Sequence, residues 1–153
     1  MSVSVRLHDL PKSVLFACNL NAVRSPMAAA LLRHMSGGRI RVESCGIRIG
    51  HINAFAIAVM DEIGIDLTDH QSKQFDDLAD AQFDLVVSLT PEAHHHAVEL
   101  TGGVALETVY WPTMDPVVVT GSRDQILHAF RQLRDDLMQR VTSEFHLKPP
   151  PNA

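Results

Sequence analysis

The sequence predicts an α/β fold, a doubly wound four-stranded parallel sheet with helices on both faces. Three observations predict it. Short apolar runs, Val14-Leu15-Phe16-Ala17 and Leu85-Val86-Val87, have the length and continuity of strands covered on both sides. Segments with helix starts and stops alternate with them. Near the C-terminus, Ile126, Phe130, Leu133, Leu137 and Val141 follow one another at spacings of four, three, four and four, which puts them on one helix face.

Taken in order, the first strand ends at the run Cys18-Asn19-Leu20-Asn21-Ala22-Val23-Arg24-Ser25. Ser25 is a good N-cap and Pro26 suits the first helical position, where the missing N–H costs nothing. The helix that follows is expected to reach about Met35 and stop at Gly37-Gly38. Arg39 to Ser44 alternates polar and apolar residues and reads as the second strand. Asn53 caps a second helix with its body from Ala54 to Ile63 and Gly64 as terminator. Phe83 to Leu89 is the third strand. Pro91 opens a short helix through Glu99, ended by Gly102-Gly103, and Val104 to Tyr110 is the fourth strand. The long amphipathic helix closes the fold. The expected organisation is one domain over residues 1–147 and a flexible proline-rich tail over residues 148–153, with no internal repeat and no linker.

Composition narrows the possible functions. A chain of 153 residues, 46% hydrophobic and 20% charged, has enough apolar material for one core. Its net charge of −5 and the absence of a basic stripe argue against nucleic acid or an acidic membrane as the main ligand. Anion binding must then come from a local site. The first ten residues lack the apolar run of a signal peptide, and no segment reaches membrane-spanning length, so a cytoplasmic protein is expected. Two cysteines fit a reduced compartment.

The chemistry is concentrated in the loop from Cys18 to Ser25. A loop between a strand end and a helix N-terminus offers unpaired backbone N–H groups and the positive end of the helix dipole, and so cradles a phosphate. Asn19, Leu20, Asn21, Ala22, Val23, Arg24 and Ser25 are therefore the expected phosphate-binding residues. The same environment stabilises the Cys18 thiolate, the form that acts as a nucleophile. Arg24 can grip two phosphoryl oxygens at once, a geometry lysine does not reproduce.

Several segments extend the pattern: Val14-Leu15-Phe16-Ala17-Cys18, Asn21, Arg24-Ser25-Pro26-Met27-Ala28, Ser44 with Gly46, Gly64-Ile65-Asp66-Leu67, His70-Gln71-Ser72-Lys73-Gln74, Phe83-Asp84 and Asp115-Pro116. With these, most of the chain resembles the low-molecular-weight protein tyrosine phosphatase family, which also contains the thioredoxin-linked arsenate reductases. The resemblance implies a cysteine-dependent phosphomonoester hydrolase that needs no cofactor or metal and passes through a phosphocysteine. It implies a phosphorylated protein or a small phosphomonoester as partner, and leaves the oligomeric state open. Cys18 would be the nucleophile, Arg24 the oxyanion ligand and Asp115 the general acid. Ser25 would hydrogen-bond the Cys18 sulfur. Asn21 would adopt a left-handed conformation that turns its neighbours' N–H groups inward, held by Ser44 and His70; His70 also reads as a buried structural histidine.

The chain also departs from the family. Leu20 replaces the usual glycine before Asn21, which would cost about 1–2 kcal/mol if that position needed positive φ. Val23 stands where many members carry a second cysteine. The aromatic walls of the family's cleft align with Gly50 and with Val117-Val118, which puts phosphotyrosine preference in question; His51, Phe55 and Tyr110-Trp111 are the candidate replacements, though each also reads as a core or rim residue. Two other readings follow: a catalytically weak or inactive phosphate-binding regulator, and an arsenate reductase, for which the relay of downstream cysteines is missing after Cys45. Cys45 reads as a small buried residue beside Ser44, and the sequence leaves open a pairing with Cys18. His94-His95-His96 does not converge on one metal, because consecutive helical side chains point about 100° apart, and reads as a solvated face or partial cap. Asp76, Asp77, Asp80 and Asp84 read as solvated surface.

Overall fold

The computed structural model describes residues 10–78, 81–99 and 105–148. Four strands, β1 (Ser13–Cys18), β2 (Arg41–Gly46), β3 (Phe83–Ser88) and β4 (Ala105–Tyr110), form one parallel sheet in the order β2-β1-β3-β4. Helices α1 (Arg24–Met35), α2 (Ala54–Asp61), α3 (Pro91–Glu99) and α4 (Arg123–Phe145) alternate with them. This is the doubly wound fold expected.

Strand β1 is central and wholly buried, as its unbroken apolar run requires. Its alternate side chains divide the core. Val14, Phe16 and Cys18 join the cluster built with α1, α2 and α4, whereas Leu15 and Ala17 face Cys45, Phe75, Phe83, Ala93 and Ala97. Three helices thus cover one face. Helix α3 and the short 3-10 turn Phe75–Leu78 cover the other. The chain runs from β1 out to β2 and returns to β3 on the opposite side of β1, so the crevice of the fold opens at the C-terminal ends of β1 and β3. Cys18 is the last residue of β1.

Several boundaries differ from expectation. Helix α1 starts at Arg24 with Val23 at the cap position and no side-chain cap, so Ser25 is not the N-cap. Its hydroxyl is engaged inside the loop instead, and Pro26 is tolerated as the third helical residue because the first N–H groups of a helix are unpaired anyway. Strand β2 lies two residues later than its alternation suggested, because Gly37 and Gly38, both at positive φ, prolong the preceding turn. Asn53 does cap α2, accepting from Phe55 N–H at 2.8 Å. Helix α4 carries a capping box between Ser122 and Gln125 that sequence reading missed. The stripe on α4 behaves as predicted: Phe130, Leu133, Leu137 and Val141 are buried and Ile126 packs partly buried beside them.

The histidine triplet is not a solvated face. His94 stacks on Tyr110 at 5.4 Å between ring centroids and His96 lies 4.5 Å from Phe75, which leaves His95 alone toward solvent beside Glu99. Gly102-Gly103, Val104, Asp80 and the tail beyond Lys148 lie outside the described residues. Among the described residues no helix is long and apolar enough to cross a membrane.

Candidate functional site

The loop after β1 is shaped from outside by hydrogen bonds to its carbonyls. Ile47, Arg48, Gly50 and Asn53 donate their N–H groups to the carbonyls of Cys18, Asn19, Leu20 and Ala22 at 3.2, 2.8, 2.8 and 3.0 Å. The Asn21 carbonyl accepts from His70 Nε2 and Ser72 Oγ, each at 3.0 Å. Five successive carbonyls are therefore turned outward. Their amide partners face the concave side, which is the condition for an anion cradle.

Asn21 holds the turn. It sits at φ 54° and is fully buried, and its Nδ2 donates to Ser25 Oγ and Ser44 Oγ, both at 2.9 Å. Its Oδ1 accepts from Lys73 N–H at 2.9 Å. Ser44 and His70 thus stand where the sequence reading put them. Ser72 and the Lys73 amide were missed as anchors, although both lie in the His70-to-Gln74 segment already singled out. Burial first, and the cations Lys73 and Arg33 after it, press the His70 imidazole below its ordinary value, outweighing the bond to Asn21. The neutral ring must then carry its proton on Nε2, since a carbonyl only accepts.

Leu20 does not have positive φ, so the expected strain is absent. It projects half-exposed at the rim instead. Gly46 is required by crowding: an added Cβ would sit 2.6 Å from Arg48 O and 2.7 Å from Asn21 N, both backbone atoms. At Gly50 an added Cβ would meet Leu20 Cβ at 3.1 Å, so Leu20 occupies space that a larger side chain there would contest.

A cleft of about 530 Å³ opens over the loop, with Cys18, Arg24 and Asp115 in its lining together with Asn19, Leu20, Ala22 and Val23. Asn21 and Ser25 lie buried beneath it. Cys18 Sγ is 2.9 Å from Ser25 Oγ. The serine hydroxyl is also 3.2 Å from the Cys45 carbonyl and, with one proton to give, serves either that carbonyl or the sulfur. A thiol at Cys18 gives its proton to Ser25; a thiolate receives Ser25's. Arg24 Nη1 donates to Thr113 O at 3.2 Å and Nη2 lies 3.9 Å from Asp115 Oδ2, so the strand-end loop carrying Asp115 meets the arginine of the cradle. Asp115 Oδ1 caps the turn Pro116–Val118 through Val117 N–H at 3.0 Å.

Of the candidate replacement walls, His51 reaches the cleft and the other three pack elsewhere. His51 and Val117 line the cleft. Trp111 does not: it is 5% exposed and packs edge-on against Phe16 and Phe145 under Arg140. Phe55 packs on Phe130, and Tyr110 on His94. Cys45 pairs with Ala17 in the β1–β2 register and points to the face opposite Cys18. Burial, reinforced by the neighbouring Cys18, pushes its thiol far above the ordinary range. Among the described residues no cluster of His, Cys, Asp and Glu is arranged to hold a metal ion.

Comparison with known proteins agrees with this geometry. The chain is 31% identical to the glutaredoxin arsenate reductase of Synechocystis sp. over 130 residues, covering 85% of this chain and 93% of that protein. It is 32% identical to arsenate reductase 2 of Staphylococcus saprophyticus, again covering 85% and 93%. An arsenate reductase in the phosphate binding state superposes with a TM-score of 0.68 at 30% identity over 88% of this chain and 97% of that one. The tyrosine phosphatase Wzb from Escherichia coli K30, in complex with sulphate, gives a TM-score of 0.74 over 90% and 98%; its 21% identity makes this a likeness of fold. The sequence profile of the low molecular weight phosphotyrosine protein phosphatases matches residues 13–145, and the chain belongs to that family.

Proposed function

We propose that the chain is a cytoplasmic, cysteine-dependent phosphomonoester hydrolase. The observation that carries the reading is Asp115 standing over Arg24 at the mouth of a cradle whose floor is the Cys18 thiol. In the first step the Cys18 thiolate forms an S–P bond as the bond from phosphorus to the ester oxygen breaks. Arg24 and the inward N–H groups take the charge of the equatorial oxygens, and Asp115 protonates the departing alcohol. In the second, Asp115 takes a proton from water, the water oxygen bonds phosphorus and Cys18 leaves as thiolate, stabilised by the Ser25 hydroxyl. The substrate side is open: the aliphatic rim of Leu20 and Val117 does not favour a phenyl ring over other groups.

A second reading has equal standing, because the curated relatives quoted above are named arsenate reductases. Cys18 would attack arsenate with loss of hydroxide. A thiol would then bond the Cys18 sulfur as arsenite leaves with the electron pair, and a second thiol would release Cys18 and a disulfide. Cys45 is on the wrong face of the sheet to serve, so both thiols would come from an external reductant.

One paired assay separates these readings. Hydrolysis of an aryl phosphate at mildly acidic pH, and arsenate-dependent oxidation of glutathione with and without glutaredoxin, are measured for wild type, Cys18→Ser and Asp115→Asn. Wild-type hydrolysis no faster than that of Cys18→Ser sinks the phosphatase reading. Arsenate-dependent oxidation above the Cys18→Ser background establishes the reductase. Inactivity in both arms, with phosphate still bound, leaves a regulatory phosphate-binding relative.

A further inference from the structure

The loop residue after the nucleophile carries a side chain whose orientation is dictated from a distant helix. Thr90, 2% exposed, precedes α3 and its Oγ1 accepts the Ala93 N–H at 3.1 Å. The same oxygen lies 2.7 Å from Asn19 Oδ1. The Thr90 hydroxyl donates its single proton to that Oδ1 while one of its lone pairs serves the helix N–H, so the Asn19 carboxamide turns its oxygen toward Thr90. Thr90 thereby fixes which way the amide faces. Asn19 Nδ2, with two N–H groups, has no protein partner among the described residues, and Asn19 lines the cleft directly beside Cys18. Glu92, in the first turn of α3, lines the same cleft. The phosphoryl oxygens are already served by the backbone N–H groups and Arg24, so the portion of a ligand that passes Asn19 on its way out of the cleft is the alcohol.

We propose that Asn19 is a specificity-determining residue whose Nδ2, oriented by Thr90, donates a hydrogen bond to the alcohol portion of the bound ester. The preferred substrates are phosphomonoesters of aliphatic alcohols with a hydrogen-bond acceptor a few bonds from the ester oxygen. Such alcohols also suit a mouth with no phenyl or indole ring in its lining among the described residues, where Gly50, His51 and Val117 line the cleft and Val118 is 73% exposed. The inference rests on the site taking organic phosphomonoesters. Thr90 is a positioning residue: it touches no ligand and acts through Asn19.

The test needs no turnover. Affinities for glycerol 3-phosphate and for inorganic phosphate are measured by calorimetry on the Cys18→Ser protein, alone and combined with Asn19→Ala, Thr90→Val or both. The ratio of the two affinities is expected to fall about fivefold with Asn19→Ala, the loss of one hydrogen bond. Thr90→Val lowers it comparably when Asn19 is present and adds nothing when it is absent. A fall with Thr90→Val that persists in the Asn19→Ala background marks a merely structural effect and overturns the positioning role. In the protein with only Cys18→Ser, the Asn19 side-chain NH₂ resonances shift on adding glycerol 3-phosphate beyond their shift with phosphate. Unchanged ratios in protein that binds the ester overturn this inference while leaving the hydrolase reading in place. Binding of phosphate without any binding of the ester overturns both.

Discussion

Replacing Asn21 removes the side chain on which the cradle is built, and its cost can be worked from the structure. The buried carboxamide makes three hydrogen bonds, to Ser25, Ser44 and the Lys73 amide. At about 1 kcal/mol net apiece their loss comes to about 3 kcal/mol, and the Lys73 N–H left without its acceptor keeps the figure from being lower. Alanine at φ 54° adds about 1 kcal/mol of left-handed strain, for a total near 4 kcal/mol. Asn21→Gly escapes the strain but not the lost bonds, so it should cost about 3 kcal/mol. Urea unfolding at neutral pH measures both variants against wild type, and phosphate titration of the folded fraction reports the cradle. Both variants should bind phosphate at least tenfold more weakly, because carbonyls no longer held outward compete with the anion. A loss below about 1 kcal/mol for Asn21→Ala, or a glycine variant less stable than the alanine one, would refute the reasoning.

Three further outcomes are expected. Gly46→Ala places a methyl within 2.8 Å of three backbone atoms, so the loop must shift and phosphate affinity should drop by an order of magnitude or more; affinity within twofold of wild type contradicts the crowding argument. In native protein, iodoacetamide should modify Cys18 and spare Cys45, with phosphate protecting Cys18, and oxidation should yield no Cys18–Cys45 disulfide in peptide maps. Equal labelling, or that disulfide, contradicts their placement on opposite faces. His70 is pressed below 6.5 by burial, so the unfolded chain takes up its proton first as pH falls. Stability is therefore complete above about pH 6.5 and declines as pH drops from there to the folded-state value. The melting temperature of wild type should fall over that range more than that of His70→Gln; identical pH profiles would assign the decline to other groups.

The expected fold was legible because its signals are local. An unbroken apolar run marks β1, a spaced stripe marks α4, and Gly37-Gly38 end α1 where they stand. Local signals also misled. Ser25 has the chemistry of an N-cap, but its hydroxyl found better use between Cys18 and Asn21, and nothing in the neighbouring residues announces that competition. Trp111 could be read from sequence as a cleft wall or as core, because exposure is a property of packing, and Phe16 and Phe145 from other elements enclose it.

The sequence by itself determined the strand-loop-helix junction and set Cys18, Asn21 and Arg24 within it, since all fall in one short segment whose two ends carry local signals. Only the tertiary structure decided how that loop is held and what stands over it. Its carbonyls are drawn outward by residues 47–53, 70 and 72, Asn21 is anchored from Ser44 and Lys73, Asn19 is aimed by Thr90, and Asp115 reaches Arg24 from the end of β4. Cys45 was assigned to the far face by strand register, where a shift of one residue would have turned it toward Cys18. The reason is common to all of these. Spacing along the chain specifies geometry within a turn or a strand, whereas partners tens of residues away are chosen by crossover and register, which the packing of the whole core sets.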